Sequence, residues 1–343
     1  MFAAGKTASA SSSTPKVLAV GHGTSPFITA YSWSTSGFGG TYSNPATLPS
    51  SQINGIAFSP DKLNIALACA GSPFIFVYPW SSSGFGTKYA NPATTPPNIT
   101  NSVAFSPDGL NIAVAHNGTP FVSAYPWSGS GFGTKYANPV TLPTGIGYGV
   151  AFSPAGSEIA VVHAITPFIT AYPWSGSGFG TKYANPATRP ASTARGVAFS
   201  PDGLNIAVAH ANTPFVSAYP WSSSGFGAKY ADPATLPSLN GLGVAFSPDG
   251  SAIAVSQTTS PFIIAYPWSG SGFGTSYANP VTLPTADGNG VAFSSNSSAI
   301  AVAHTTSPFV SAYPWSGSGF GTKYANPTTL PAATGFSCAW NTI

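Results

Sequence analysis

The stretch "SPDGLNIAVAHNGTPFVSAYPWSGSGFGTKYANP" (Ser106–Pro139) returns almost unchanged at Ser200–Pro233 as "SPDGLNIAVAHANTPFVSAYPWSSSGFGAKYADP". Related strings fill the chain at a constant spacing. Seven tryptophans lie 47 residues apart without slippage: Trp33, Trp80, Trp127, Trp174, Trp221, Trp268 and Trp315. Repeats of about 40–50 residues are typical of propeller blades and of some helical arrays. Frequent Gly and Pro, with short alternating apolar runs, exclude the helical option.

Each repeat contains four strand-like runs, named a to d. They are exemplified by Gly149–Pro154 (a), Asn111–His116 (b), Pro120–Trp127 (c) and Lys135–Pro143 (d). A Ser-Pro-Asp-Gly turn joins a to b. Because proline removes a ladder donor, strand d is predicted at the outer edge. Large and small side chains alternate in strand c, which predicts that the tryptophans pack in the core between blades rather than stack on sugars.

The two ends of the chain complement each other. The chain begins in strand b (Lys16–His22) and finishes in strand a (Phe336–Ile343). One blade would therefore take strands b, c and d from the N-terminus and strand a from the C-terminus, which leaves no open edge. The sequence predicts an all-β fold, a seven-bladed β-propeller over residues 16–343, after a flexible arm (residues 1–15).

The composition narrows the function classes. Charged residues are 5% of the 343, the net charge is +3, and aromatic residues are 13%. Disordered chains are rich in charge and poor in aromatics, so the chain is predicted to fold. The dilute charge does not fit a nucleic-acid interface, and no apolar run reaches the roughly 18 residues of a membrane span. The first residues lack the apolar segment of a signal peptide. Cys69 and Cys338 lie in different columns of the repeat, which predicts neither a disulfide nor a metal site.

Comparison of the seven copies shows which loops vary. In an antiparallel blade the d–a and b–c loops emerge on one face of the disc, named here the top face, and these loops differ between copies. The a–b and c–d loops on the bottom face are nearly uniform. Functional residues often lie in loops on a fixed scaffold, so we expect recognition at the top face, with neutral drift as the alternative. The candidate binding residues are Gln52, Asn54, Asn98, Asn101, Ile146, Tyr148, Arg195, Asn240, Asp287 and Asn289.

All five histidines occupy one column at the top end of strand b, which Cys69 and Gln257 complete. Copies one blade apart are separated by about 10 Å or more, too far to share a metal ion. We expect each histidine to hydrogen-bond its own b–c loop, with ligand contact as the alternative. Four are therefore added to the candidate binding residues: His116, His163, His210 and His304.

Lysines form a further column at the start of run d, with Thr41 and Ser276 in its gaps. Edge lysines prevent pairing between sheets of different molecules. The alternative is a rim at the bottom that docks an acidic partner. The residues of this candidate docking rim are Lys88, Lys135, Lys182, Lys229 and Lys323.

The sequence shows no catalytic set. It holds seven acidic residues, and four of them sit in a–b turns, where Asp has a turn role. No nucleotide-binding loop, nucleophile elbow or pair of carboxylates is evident. We therefore expect a non-enzymatic protein without cofactor or metal.

The strings "GVAFSP", "IAVAH" and "PFVSAYPW" resemble the repeat core of WD40-type propellers, although Trp127-Ser128 replaces the Trp-Asp pair of that family. Strings such as "YPWSGSGFGTKYANPVTLP" (Tyr125–Pro143) resemble the propeller proteins encoded by tailed bacteriophages. This resemblance implies a virion protein of the tail or tail fibres, made in the host cytoplasm. It would contact other tail proteins and a glycan or protein of the host surface, without nucleic acid or membrane insertion. The alternatives are a free lectin-like protein and an intracellular scaffold for protein partners.

Overall fold

The computed structural model describes residues 16–342, which form 28 β-strands in seven four-stranded antiparallel sheets. Each sheet is one blade with the strand order a-b-c-d. The fold predicted from the 47-residue period is therefore confirmed. The predicted arm, residues 1–15, lies outside the described residues. Within them, no helix is long and apolar enough to cross a membrane.

The type a and type b strands form the inner half of every blade. The type a strands are β4 (Ile53–Phe58), β8 (Thr100–Phe105), β12 (Gly147–Phe152), β16 (Ala194–Phe199), β20 (Gly241–Phe246), β24 (Gly288–Phe293) and β28 (Gly335–Asn341). The type b strands are β1 (Val17–His22), β5 (Asn64–Cys69), β9 (Asn111–His116), β13 (Glu158–His163), β17 (Asn205–His210), β21 (Ala252–Gln257) and β25 (Ala299–His304).

The outer half consists of the type c and type d strands. The type c strands are β2 (Ile28–Ser34), β6 (Ile75–Ser81), β10 (Val122–Ser128), β14 (Ile169–Ser175), β18 (Val216–Ser222), β22 (Ile263–Ser269) and β26 (Val310–Ser316). The type d strands are β3 (Gly37–Thr41), β7 (Gly84–Phe85), β11 (Gly131–Phe132), β15 (Gly178–Phe179), β19 (Gly225–Phe226), β23 (Gly272–Phe273) and β27 (Gly319–Phe320).

The ring closes between the two ends of the chain. Strand β28 pairs antiparallel with β1, with Leu18 opposite Trp340. The Lys16 amide also donates to the Asn341 carbonyl oxygen at 2.8 Å. This pairing gives the first blade its fourth strand, as the complementary ends predicted.

The outermost strand differs from the prediction. Run d was placed at Lys135–Pro143, but the strand is β11, whose Phe132 pairs with Trp127. Beyond β11 the chain only follows strand c irregularly, and the Tyr136 amide donates to the Ala124 carbonyl oxygen at 2.9 Å. Prolines at 139 and 143 cannot donate to a ladder, so no regular strand forms over the predicted run.

Strand c begins later than predicted. Phe121 has φ 70°, a left-handed conformation, and β10 starts at the next residue. The Phe121 amide donates to the Gly118 carbonyl oxygen at 2.7 Å, and its own carbonyl oxygen accepts the His116 amide at 3.0 Å. The phenylalanine thus closes the b–c loop instead of extending the strand.

The core lies between adjacent blades, where the tryptophan column packs. Trp127 is 4% exposed. Its ring lies edge-to-face against Tyr89 of the preceding blade, with the ring centroids 5.0 Å apart, and against Phe132 at 5.0 Å. Edge-to-face pairs add to the hydrophobic gain of burying such large rings. The predicted core role of the tryptophans is confirmed.

Candidate site at the mouth of the central channel

The seven type a strands contact one another in a closed ring around the axis and enclose a channel. Small residues near the start of these strands allow the close approach. A Cβ atom on Gly196 would lie only 3.0 Å from the Gly243 Cα atom of the next blade. The cavity that remains along the axis has a volume of about 280 Å³. The tight inner ring therefore brings the residues at its top end together.

One residue from each blade lines the top of this channel, at the same position of the repeat. We name this ring the channel mouth, and it consists of Asn54, Asn101, Tyr148, Arg195, Leu242, Asn289 and Phe336. Sequence reasoning had selected five of them. It missed Leu242 and Phe336, although the 47-residue period that joins the other five also passes through both.

Three asparagines anchor the mouth to the neighbouring blade. Each Nδ2 group donates to a carbonyl oxygen 46 residues later: Asn54 to Thr100 at 2.9 Å, Asn101 to Gly147 at 2.8 Å, and Asn289 to Gly335 at 2.9 Å. These bonds hold the amides in place before a ligand arrives. No hydrogen bond to the Oδ1 atoms of Asn101 and Asn289 is seen within residues 16–342, so these atoms can accept one from a ligand hydroxyl.

Arg195 gives the mouth its positive charge. It is the one basic residue among the seven of the channel mouth. Its Cζ atom lies 4.4 Å from the centroid of the Tyr148 ring. A cation–π contact of this kind orients the guanidinium while its N–H groups stay free to donate. The polar half of the mouth thus combines a fixed cation with fixed amides.

The other loop residues selected from sequence form the surroundings of the mouth. The Gln52 Nε2 group donates to Asn54 Oδ1 at 2.9 Å, and Asn98 Oδ1 accepts the amide of the following residue at 2.7 Å. Ile146, Asn240 and Asp287 each accept an amide of the b–c loop through their carbonyl oxygens, at 3.0, 3.2 and 3.2 Å. Their backbone ties the two top-face loops of a blade together.

Asp287 differs from the other acidic residues by its position. It lies two residues before Asn289 in a top-face loop, is half-buried, and is the one acidic residue in the variable loops of the top face. The acidic residues of the a–b turns have a different role. Asp108 Oδ1 accepts hydrogen bonds from Ser106 Oγ and the Leu110 amide, at 2.5 and 2.9 Å, as the predicted turn role requires.

The histidines lie inside the blades. His116, His163, His210 and His304 are all 0% exposed. Each Nε2 atom is within 2.9–3.0 Å of a Ser or Thr hydroxyl in strand c, seven residues later. Each ring also has a backbone hydrogen bond to its own b–c loop, as expected, at Gly118, Ile165, Asn212 and Thr306 respectively. Burial lowers the pKa of each imidazole to about 4. Their binding role stays a prediction, and the burial does not favour it.

The lysine column lies higher on the outer edge than predicted. Lys88 Nζ is 5.3 Å from the ring centroid of Phe76, which stands at the top end of strand c. Partial burial lowers the pKa of Lys88, as it does for Lys135, Lys182 and Lys323. Each ammonium is bonded within its own blade, as is that of Lys229, which pairs with Asp232. Docking by these lysines stays a prediction.

Among residues 16–342, no group of three His, Cys, Asp or Glu side chains could hold a metal ion. Cys69 and Cys338 are both buried and free. Burial raises the pKa of the Cys338 thiol to about 12, so it stays protonated at neutral pH. The polar groups of the channel mouth itself are amide, guanidinium and phenol groups.

Comparison with known proteins gives a match only at the level of structure. No family model and no curated protein matches the chain. A candidate 6-phosphogluconolactonase of Bacteroides uniformis is similar over 94% of this chain and 98% of its own, at 14% identity and TM-score 0.75. A second from Bacteroides fragilis is similar over 97% and 99%, at 12% identity and TM-score 0.76. The periplasmic gluconolactonase of Pseudomonas aeruginosa is similar over 96% and 99%, at 15% identity and TM-score 0.75.

These matches correct the functional expectation. At 12–15% identity they establish a shared seven-bladed fold. The expected assignment as a non-enzymatic virion protein of phage tails is contradicted by these three matches, which cover nearly the whole chain and bear the names of lactonases. The expectation that the protein is not an enzyme was drawn from the absence of a sequence motif. That inference is weak for a site assembled from single residues of seven repeats.

Proposed function

We propose that this protein is a hydrolase that opens the lactone ring of a sugar acid at the channel mouth. The observation that carries the proposal is the polar half of the mouth, where Arg195 is held on Tyr148 beside anchored asparagines. A full-length fold shared with proteins named as gluconolactonases supports the choice of reaction.

The chemistry of the mouth suits a polyhydroxylated anion. A guanidinium donates two parallel hydrogen bonds to a carboxylate or phosphate. The Oδ1 atoms of Asn101 and Asn289 would accept hydrogen bonds from sugar hydroxyls. Leu242 and Phe336 complete the ring on either side of Asn289, and each provides an apolar contact for a sugar ring. The substrate class that fits best is a gluconolactone with a phosphate group, because the unphosphorylated lactone is neutral until its ring opens.

The reaction requires water, a base and a donor for the oxyanion. Water attacks the lactone carbonyl carbon, and its proton passes to the base. The bond between the carbonyl carbon and the ring oxygen then breaks, and the ring oxygen takes up a proton to give the hydroxy acid. We assign the base to Asp287, the one acidic residue in the top-face loops. The remaining Nδ2 hydrogen of Asn289 would stabilise the oxyanion.

The test compares hydrolysis of glucono-1,5-lactone and its 6-phosphate with the spontaneous rate, measured by acid release in a pH-stat. Asp287→Asn is expected to lower kcat by about 100-fold, the contribution of a general base. Arg195→Ala is expected to raise KM for the phosphorylated lactone by about tenfold, and to raise it less for the unphosphorylated one. Gly129→Ala is the control, because a Cβ atom there meets nothing within 4 Å.

Two results would overturn the proposal. The first is a wild-type rate no greater than spontaneous hydrolysis for both lactones. The second is a wild-type rate enhancement that both variants retain, which would place the reaction outside the channel mouth. Calorimetric titration with gluconate 6-phosphate, the product of the phosphorylated substrate, separates loss of binding from loss of chemistry.

A further inference from the structure

Five blades hold a lysine ammonium in the same way on their outer edge. Lys88 Nζ donates to the Tyr89 carbonyl oxygen at 3.0 Å and to Asn91 Oδ1 at 2.5 Å. Lys182 Nζ likewise donates to the Tyr183 carbonyl oxygen at 3.0 Å and to Asn185 Oδ1 at 2.6 Å. In the other members of the column, Nζ also donates to the side-chain Oδ1 atom of the residue three positions later; these members are Lys135, Lys229 and Lys323. The repeat thus contains a built ammonium site that its own lysine fills.

The first blade has Thr41 at this position, and a cleft of about 390 Å³ lies beside it. We name it the Thr41 cleft, and it is lined by Pro26, Thr29, Thr41, Tyr42, Ser43, Asn44, Thr329, Leu330 and Ala332. The equivalent positions in the next repeat, 47 residues later, include Pro73, Phe76, Lys88, Tyr89 and Asn91. The cleft therefore corresponds to the space that the lysine side chain takes in the next blade.

We propose that the Thr41 cleft binds a small primary amine, an ammonium group on a short aliphatic stem, in place of the missing lysine. The Tyr42 carbonyl oxygen and Asn44 Oδ1 are the counterparts of the acceptors around Lys88. In the described part of the chain, the Asn44 side chain makes no hydrogen bond to another residue. Pro26, Leu330 and Ala332 provide apolar contacts for the stem. The proposal does not depend on the lactonase function.

The acceptors define the selectivity. A primary ammonium has three N–H donors and can bond both oxygens, whereas a quaternary ammonium has none. The lysine side chain has four methylene groups, so an alkyl chain of four or five carbons matches the space. A carboxylate strengthens such a hydrogen bond, and the fifth blade uses one, since Lys229 pairs with Asp232. Asn44→Asp should therefore tighten binding in the first blade.

The experiment is an NMR titration of the full-length protein with n-pentylammonium at neutral pH. Saturable shifts are expected for the amides of Thr41, Tyr42 and Asn44. Thr41→Lys should raise the apparent Kd at least about tenfold, because the new side chain occupies the cleft, and Asn44→Asp should lower it several-fold. Ser276→Lys fills the other gap in the lysine column and should leave the shifts of Thr41, Tyr42 and Asn44 unchanged. Circular dichroism confirms that each variant is folded.

Several outcomes would overturn the proposal. Absence of saturable shifts excludes the site. Equal binding to Thr41→Lys places the amine elsewhere, and equal binding of 1-pentanol or tetramethylammonium shows that the ammonium donors are not recognised. Nα-acetyl-lysine amide distinguishes the source of the amine. If it binds and n-pentylammonium does not, the site recognises a lysine of a partner protein and the proposal of a free amine fails.

Discussion

The buried histidines make the stability of the folded protein depend on pH. His210 is 0% exposed, and its Nε2 atom lies 2.9 Å from Ser217 Oγ. The imidazolium would have to form inside the blade, and burial lowers the pKa to about 4. An unfolded histidine titrates near pH 6.5, so the unfolded chain binds more protons between pH 6.5 and 4. Stability is therefore constant above this window and falls as the pH decreases through it.

The variant His210→Gln tests this pH dependence, and glutamine already occupies the same column at Gln257. The free energy of unfolding of the wild type should decrease between pH 6.5 and 4, with a contribution on the order of 3 kcal/mol from each such histidine. Over the same window, the free energy of unfolding of the variant should decrease by about 3 kcal/mol less than that of the wild type. Urea unfolding at a series of pH values measures both slopes, and carboxyl groups contribute equally to the two proteins. Parallel slopes would contradict the argument.

Among the local elements of each blade, the a–b turn is the most regular feature of the repeat. Asn111 and Ser106 close the third copy, where the Asn111 amide donates to Ser106 Oγ at 2.9 Å. The turn also needs a left-handed residue, and Gly109 supplies it with φ 72°. In the preceding copy the same place is taken by Lys62 with φ 71°. The turn therefore forms even where a side chain must adopt this conformation.

The cost of that conformation can be measured with Gly109→Ala. A Cβ atom there would meet only Pro60 Cδ, at 3.7 Å, so no clash is introduced. The remaining effect is the left-handed backbone, which should lower the free energy of unfolding by about 1 kcal/mol. Gly129→Ala is the matched control, because its φ lies outside the positive region and its surroundings are open. Equal stability of the two variants in urea unfolding would contradict the prediction.

For the whole molecule, closure of the ring is the decisive feature. Seven repeats of 47 residues need 329 positions, and residues 16–343 supply 328. The remaining position, which corresponds to Gly109 of the a–b turn, is residue 15 and lies outside the described residues. The first blade is thus held by the pairing of β28 with β1 instead of by a covalent turn.

A circular permutant tests whether the pairing of β28 with β1, named here the seam, is equivalent to the covalent a–b turns of the other blades. One glycine would join Ile343 to Lys16, and the chain would open between Ala155 and Gly156, without residues 1–15. We expect a folded monomer with the circular dichroism spectrum of the parent and an unfolding free energy at least as high. Deletion of residues 335–343 should instead expose the edge of β1 and cause aggregation, as size-exclusion chromatography would show. A soluble, stable deletion variant would contradict the role of the seam.

The sequence by itself determined the blade number, the b and c strands to within two residues, and the closure by complementary ends. These follow from a strict period and from short-range alternation and turn chemistry, which neighbouring residues decide. It did not locate the short outer strand at Gly131–Phe132, because the prolines indicated the outer edge of the blade but not the position or length of the outermost strand.

Only the tertiary structure decided which side chains meet. Leu242 and Phe336 reach the channel mouth, the histidines turn inward to strand c, and Thr41 leaves a cleft that other blades fill with lysine. Each of these facts depends on contacts between residues at least seven and often 46 or 47 positions apart. The physical reason is that such contacts form only after strands distant in sequence have paired within a blade and the closed ring has set the distance between blades.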